Sequence, residues 1–436
     1  MTATSIIIVE RLTPVTSALD DVRDTGSRSS TKLAVVDPNG VRVIAAAEEA
    51  VAVARQLAAG FQESAAQRDL ERRLPIEEVD LLSRQGLYSL TVPSWIGGPD
   101  LPPSVVADVL RILATADPNI AQIPHSHYVY VNLLRQAGVG NQQEALLSQV
   151  LAGARFGNAQ SEANSPTIDK IQTLIEPDGD DFVVNGDKFY CTGAYFAHVI
   201  PVLAKNADGR AFVAFVPRET EGLSIVDDWA GMGQRTTASG TVHFVDVKVP
   251  PWRVVARDPL FAGPQVFGAF AQLLHTAIDA GIARGALNEA VAFVQTKSRP
   301  WFEAGVERAA DDALLIQRIG ELTVDVRMAE AVCREAGEAL DAAELERANG
   351  RLSERLAAET SIAVATAKVV ADRVGVQTAS ALFEVCGTRS AAESLDLSRH
   401  WRNVRTHTLH DPVRWKLQHI GRWVLHGTPP PNHGPL

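Results

Sequence analysis

The spacing of apolar residues changes along the chain and divides it into four stretches. Residues 1–40 are polar, rich in Ser, Thr and Asp, and without sustained periodicity, so they read as a loosely ordered extension. Over 41–153 apolar positions recur at three- and four-residue intervals, as in AAAEEAVAVARQLAAGF and SVVADVLRILATA, which predicts helices. Pro75 ahead of IEEV marks a helix start, with Pro just inside and acids in the first turn. Over 154–262 the period falls to two. DDFVVNGDKFY, HVIPVLAK, RAFVAFVP and TVHFVDVKVP are β-branched and aromatic runs broken by Asn-Gly, Asp-Gly and Pro. Asn185-Gly186 between such runs predicts a hairpin turn. Over 263–436 the strands vanish and alanine-rich stretches of about 25–35 residues follow, a length that suits antiparallel bundle helices. The predicted class is α+β, with a helical domain, a small β-barrel or sheet domain, and a helical bundle.

Composition narrows the function. Hydrophobic residues make up 46% and charged residues 21%, as in an ordinary globular protein. The net charge of −11 argues against a broad grip on nucleic acid or an anionic membrane. No apolar run approaches the roughly 20 residues that span a bilayer. The first residues, MTATSIIIVERLTPV, carry no basic leader. The three cysteines, Cys191, Cys333 and Cys386, are widely spaced and form neither a disulfide framework nor a paired metal motif. A cytoplasmic protein with reduced thiols is expected. Neither glycine pair (Gly138/Gly140, Gly231/Gly233) extends to GxGxxG, which argues against a built-in nicotinamide-binding domain.

The densest chemistry lies in HWRNVRTHTLHDP, residues 400–412. In and beside it stand His400, His407 and His410 with Arg399, Arg402 and Arg405. Arginine forks suit phosphate, and histidine passes protons near neutral pH, so an anionic cofactor beside a proton-transfer group is expected. His407 and His410, three apart, would share a helix face. With Asp411 they could also begin a metal site, but no convincing remaining ligands occur elsewhere, so none is assigned.

The helix–sheet–helix order, with GDKFYCTGA (186–194) and GMGQRTTASGTVHFVDVKVP (231–250), resembles the acyl-CoA dehydrogenase superfamily. NAQSE (158–162), TKSRPWF (296–302) and RNVRTHTLHDP are more similar to the dibenzothiophene monooxygenase group, and most to the oxidoreductases of sulfone utilisation. That resemblance implies a C-terminal four-helix bundle and a homotetramer. It implies oxygenation of a small organosulfur compound by O2 and reduced FMN, which a separate NAD(P)H:flavin reductase supplies. It puts Arg299 and Arg389 on the flavin phosphate, although two arginines at helix ends could instead bond carbonyls. Asn158, Gln160, Ser161, Tyr190, Cys191 and Thr192 would line the flavin ring, largely through backbone and hydroxyl groups. Trp229 is either part of that pocket or a core anchor. His410 would stand at the reactive flavin edge as proton donor or orienting group, and His407 beside it. His127 is a further site candidate, with His125 competing for its role. Three alternatives stay open: an FAD-dependent acyl-CoA dehydrogenase, a nitrogen or aromatic-ring monooxygenase, and a non-catalytic descendant. Against the dehydrogenase, Asp411-Pro412 stands where many such enzymes carry a glutamate before glycine. Thr192 replaces a serine of the closest monooxygenases.

Overall fold

The computed structural model describes residues 40–434 apart from 164, 166, 168 and 169. The extension expected over 1–40 therefore lies, Gly40 excepted, outside the described residues. Seven helices come first: α1 (Ala47–Gln62), α2 (Ala65–Glu71), α3 (Ile76–Arg84), α4 (Pro103–Ala116), α5 (Pro118–Gln122), α6 (His125–Ala137) and α7 (Gln142–Leu151). Pro75 caps α3 from outside its first turn, and Glu77 and Glu78 follow inside it, where carboxylates meet the positive end of the helix dipole.

Seven strands follow: β1 (Leu174–Asp178), β2 (Asp181–Lys188), β3 (Val199–Lys205), β4 (Ala211–Pro217), β5 (Leu223–Val226), β6 (Thr241–Val249) and β7 (Val254–Ala256). They form one sheet in the order β5-β6-β2-β1-β3-β4-β7, antiparallel except where β1 runs parallel to β3. The predicted hairpin at Asn185-Gly186 is corrected. β2 runs straight through these residues, and the β1–β2 turn lies at Gly179-Asp180. Gly186 instead marks a register shift against β6, because a Cβ there would sit 2.6 Å from the Thr173 hydroxyl.

The long helices are α8 (Phe267–Thr296), α9 (Ala313–Ala348) and α10 (Glu354–Cys386), followed by the shorter α11 (Ser398–His407) and α12 (Val413–His426). α8 is buried on most of its circumference, packed between α4, α9, α10 and α11, so its small residues let neighbouring backbones approach. One apolar core runs from α1 and α4 into α8, α9 and α10. A second joins α6 and α7 to the sheet. Among the described residues no helix is long and apolar enough to cross a membrane.

Candidate active site

The start of α6, the first half of α8, the end of α11 and the loop beyond it bring four histidines together. His125 stacks on His275 with ring centroids 3.8 Å apart, and His275 lies 4.6 Å from His410 and 5.0 Å from His407. α11 ends at His407, so His410 sits in the turn beyond it; its backbone N–H still reaches the His407 carbonyl, and the two rings stay 4.9 Å apart.

Hydrogen bonds settle which ring nitrogens carry protons. His410 Nδ1–H donates to the His407 carbonyl at 2.7 Å, which leaves Nε2 to accept from the Gln122 amide at 2.9 Å. The buried Gln122 Oε1 has no hydrogen-bond partner. Rotating that amide by half a turn would offer Oε1 to a protonated Nε2–H, so Gln122 can serve His410 in either state. Burial holds His125 down to about 3 and His275 well below the ordinary histidine value, with the neighbouring histidines reinforcing both. His410 is exposed at the mouth of the cluster; burial of its ring and the nearby His407 lower it too, with solvent moderating the effect.

His127 is corrected as a catalytic candidate. Its Nε2–H donates to the Tyr88 carbonyl at 2.8 Å and its Nδ1 accepts from Phe156 N–H at 3.0 Å, so both nitrogens are consumed. It is fully buried and ties α6 to the start of the β region. His125, two residues earlier and on a different helix face, is the one that joins the cluster.

Folding therefore keeps His125 and His127 neutral, each lowered by burial to about 3. Their folded values lie below the roughly 6.5 of the unfolded chain, so the unfolded state takes up protons first as pH falls. Stability from these two residues is complete above about pH 6.5 and is lost as pH drops toward 3. The melting temperature is expected to fall steadily from pH 6.5 to pH 4 in a scanning fluorimetry series. A flat profile over that range would show that these rings are not held neutral.

The segment from 158 to 162 lies against the loop after β2. Asn158 accepts from the Tyr130 hydroxyl at 3.1 Å and donates to the Tyr190 carbonyl at 3.3 Å. Phe189 N–H donates to the Ser161 carbonyl at 2.8 Å. A buried Lys188–Glu162 pair at 2.6 Å clamps the two segments, with Lys188 also donating to the Gln160 carbonyl. Gln160, Ser161 and Tyr190 are exposed, and Tyr190 meets Trp229 edge to face with centroids 6.0 Å apart. Trp229 lies between β5 and β6, and its indole N–H is satisfied by the Gln234 carbonyl at 2.7 Å. Thr192 is hydrogen bonded to Ser239 at 2.6 Å. Cys191 instead points into the sheet's core, and burial pushes its thiol well up, so its side chain offers the site no nucleophile. A Cβ on Gly193 would meet the Ile123 carbonyl at 2.9 Å, which puts this loop against the residue that follows Gln122, the hydrogen-bond partner of His410.

The arginines of the 399–405 segment do not await an anion, which corrects their reading as phosphate forks. Arg399 pairs with Glu289 at 2.6 Å, Arg402 with Asp69 and Asp396, and Arg405 donates to the Thr408 hydroxyl. Arg299 and Arg389 are exposed at the far ends of α8 and α10. Arg389 spends one N–H on the Lys297 carbonyl at 3.0 Å, which holds its guanidinium at the end of α8, two residues before Arg299 in the chain. From His275 to the end of α8 at Thr296 is about 30 Å at 1.5 Å per residue. One chain thus separates these arginines from its own histidines by more than the length of an FMN.

A metal ion could be held by His275, His407 and His410, whose nitrogens lie within 4.8 Å of one another. It would have to displace the His275–His407 and Gln122–His410 hydrogen bonds. Asp411, proposed with them from sequence, accepts from Gln272 at 2.6 Å instead.

With this geometry in place the comparisons are decisive. The chain is 33% identical over 402 residues to the dibenzothiophene monooxygenase of Rhodococcus erythropolis, covering 88% of this chain and 95% of the relative. It belongs to the dibenzothiophene monooxygenase family. Family profiles for the acyl-CoA dehydrogenase middle domain and C-terminal domain match residues 159–247 and 273–415. The probable FMNH2-dependent monooxygenase SfnC of Pseudomonas putida is 32% identical over 87% of this chain and 96% of its own length. Among solved structures, TdsC of Paenibacillus sp. A11-2 in complex with FMN and indole superposes with a TM-score of 0.84 at 30% identity, covering 89% of this chain and 99% of that one. The methanesulfinate monooxygenase MsuC of Pseudomonas fluorescens gives 0.82 at 32% identity, covering 88% and 99%.

Within this family member, sequence reasoning passed over His275, Asp279 and Lys368, all buried beside His407. The signal was present: His275 and Asp279, and Lys368 and Asp372, are polar pairs four residues apart on otherwise apolar helices.

Proposed function

We propose that this chain is a two-component flavin monooxygenase that oxygenates a small organosulfur compound of the sulfide, sulfoxide or sulfone type. The observation that carries the reading is the cluster of His125, His275, His407 and His410, with His410 at its mouth bonded to Gln122, on the fold of the dibenzothiophene monooxygenase family. The residues fit FMN: exposed Gln160, Ser161 and Tyr190 with the Trp229 face can take a ring, and the exposed Arg299 and Arg389 at the ends of α8 and α10 can take a phosphate. Bound reduced FMN supplies the electrons that activate O2. The chain's own part is to exclude water around His125 and His275, to orient His410 through the His407 carbonyl and Gln122, and to hold or release a proton at His410 Nε2. The Gly231/Gly233 pair lies in a loop packed against α11, and reduced flavin comes from a separate reductase, a reading supported by the similarity to a probable FMNH2-dependent monooxygenase.

A homotetramer follows from the same reading. The distance between Arg389 and His410 is resolved if the phosphate site of one copy completes the ring site of another. Exposed Leu314 and Val324 on α9, Val424 and Leu425 on α12, and Trp301 and Phe302 in the connection after α8 offer apolar surface for such contacts. The buried, unpaired Cys191, Cys333 and Cys386 suit a reducing cytoplasm.

The test is anaerobic titration with reduced FMN and reduced FAD, then rapid mixing with oxygen and a panel of sulfides, sulfoxides and sulfones. Preference for FMN with an oxygenated product is expected; tight FAD retention with bleaching by an acyl thioester would replace this reading. Replacing Arg389 with alanine is expected to weaken reduced-FMN binding by about 10- to 100-fold, the range for losing a hydrogen bond to a charged group of about 1.5–3 kcal/mol. An unaltered dissociation constant would remove Arg389 from the phosphate site.

A further inference from the structure

His407 does more than neighbour His410. Its Nδ1 lies 2.6 Å from Asp279 Oδ1, and Lys368 Nζ lies 2.5 Å from Asp279 Oδ2; none of the three side chains is exposed. Burial pushes the Asp279 carboxyl up, but Lys368 and His407 outweigh it and hold it down at about 2, so Asp279 is a carboxylate and His407 Nδ1 carries the proton. With His407 neutral, its Nε2 accepts from His275 Nδ1–H across their 3.1 Å contact; with His407 an imidazolium, the direction reverses. The first arrangement leaves a lone pair on His275 Nε2, for which no described residue supplies a partner. The His275 ring lies 3.8 Å from that of His125 and 4.6 Å from that of His410, which is exposed at the mouth of the cluster.

We propose that Asp279, His407 and His275 form a proton store for the oxygenation site, with His275 Nε2 as its loading end and Lys368 as a fixed counter-ion. The inference rests on the monooxygenase reading for what the proton is used for, and on this chain alone for the store. In loading, one proton binds His275 Nε2, the Nδ1 proton passes to His407 Nε2, and His407 becomes an imidazolium against the Asp279 carboxylate. Unloading reverses both transfers, so His275 ends neutral each time. The groups facing the chain are His125 from α6, Lys368 and Asp372 from α10, and His410 and Asp411 beyond α11. Lys368 also lies 3.5 Å from Asp372, which burial raises to about 7 against the pull of Lys368. Asp279 and Lys368 act through His407 and are positioning residues.

A bundle clamp built from the same ion pair would need His275 only as a hydrogen-bond donor. His275→Asn separates the two, because the asparagine amide replaces Nδ1–H and removes Nε2. With reduced FMN, oxygen and a substrate that wild type turns over, His275→Asn is expected to lower kcat about 100-fold, near the low end for a lost general acid or base. KM is expected to stay unchanged and the acidic limb of the pH profile to move. Wild-type kcat and profile in His275→Asn would overturn the store; failure of wild type itself to oxygenate the panel would instead overturn the functional reading. A second arm needs no flavin: solid-state NMR of protein labelled at the imidazole nitrogens. It is expected to show an unloaded form with His407 protonated at Nδ1 and a loaded form protonated at both nitrogens. Asp279→Asn with Lys368→Met, which removes both buried charges together, should abolish the doubly protonated His407 signal. A His407 protonated at Nε2 alone in wild type at pH 8 would overturn the assignment.

Discussion

Replacing His410 with alanine is expected to lower oxygenated product by about 100- to 10,000-fold, the span for removal of a positioned general acid or base. Flavin affinity and assembly are expected to hold. The geometry supports that split. His410 stands at the exposed mouth of the cluster, and its two ring contacts are to the His407 carbonyl and Gln122, so removing the ring leaves no buried charge behind. Arg299 and Arg389, the groups proposed for phosphate, lie at the opposite end of α8. The expected phenotype is consumption of reduced flavin and oxygen with hydrogen peroxide in place of product, read by product chromatography alongside a peroxide assay. Unchanged turnover would remove His410 from proton transfer. Gln122→Glu should give an intermediate loss, because a carboxylate partner favours the charged imidazole and gives up the neutral state that the amide also serves.

The second large effect concerns stability. Lys368→Met alone is expected to destabilise the fold by about 3–5 kcal/mol, since it strands the Asp279 carboxylate between α8, α10 and α11. Adding Asp279→Asn should recover most of that loss, because replacing both members of a buried pair restores charge balance and methionine fills the lysine stem's volume. Denaturant unfolding of the two single variants and the double variant measures the coupling directly. Additive losses would mean that the pair contributes little and that Lys368 is balanced mainly by Asp372. Because Asp279 is held below its unfolded value, its contribution is complete above about pH 4 and is lost as pH falls toward 2. Comparison of Lys368→Met with wild type should therefore be made near neutral pH, where that contribution is intact.

Much of this protein could be read before any coordinates. Periodicities of about 3.6 and 2 placed helices and strands because each reports a one-sided burial that neighbours in sequence already express. The length of α8, α9 and α10, the sheet between two helical regions and the family resemblance all follow from such local signals. Asn185-Gly186 shows the limit: its chemistry suits a turn, yet the strand continues, because the glycine is needed where Thr173 crowds the backbone. His127 and the arginines of the 399–405 segment show another limit. Whether a polar side chain serves chemistry or structure depends on what the fold sets opposite it. His127 meets two backbone groups, and Arg399 and Arg402 meet carboxylates from α8, α2 and the loop before α11.

The sequence by itself determined the class of fold, the family and the motif that carries His407 and His410, because these reside in contiguous residues. Only the tertiary structure decided which histidines share a site. His125, His275 and His407 stand up to 282 residues apart in sequence and meet because α6, α8 and α11 pack side by side. It also decided their protonation, since the tautomer of each ring is dictated by the atom it faces across that packing, and no residue's neighbours in sequence specify that atom.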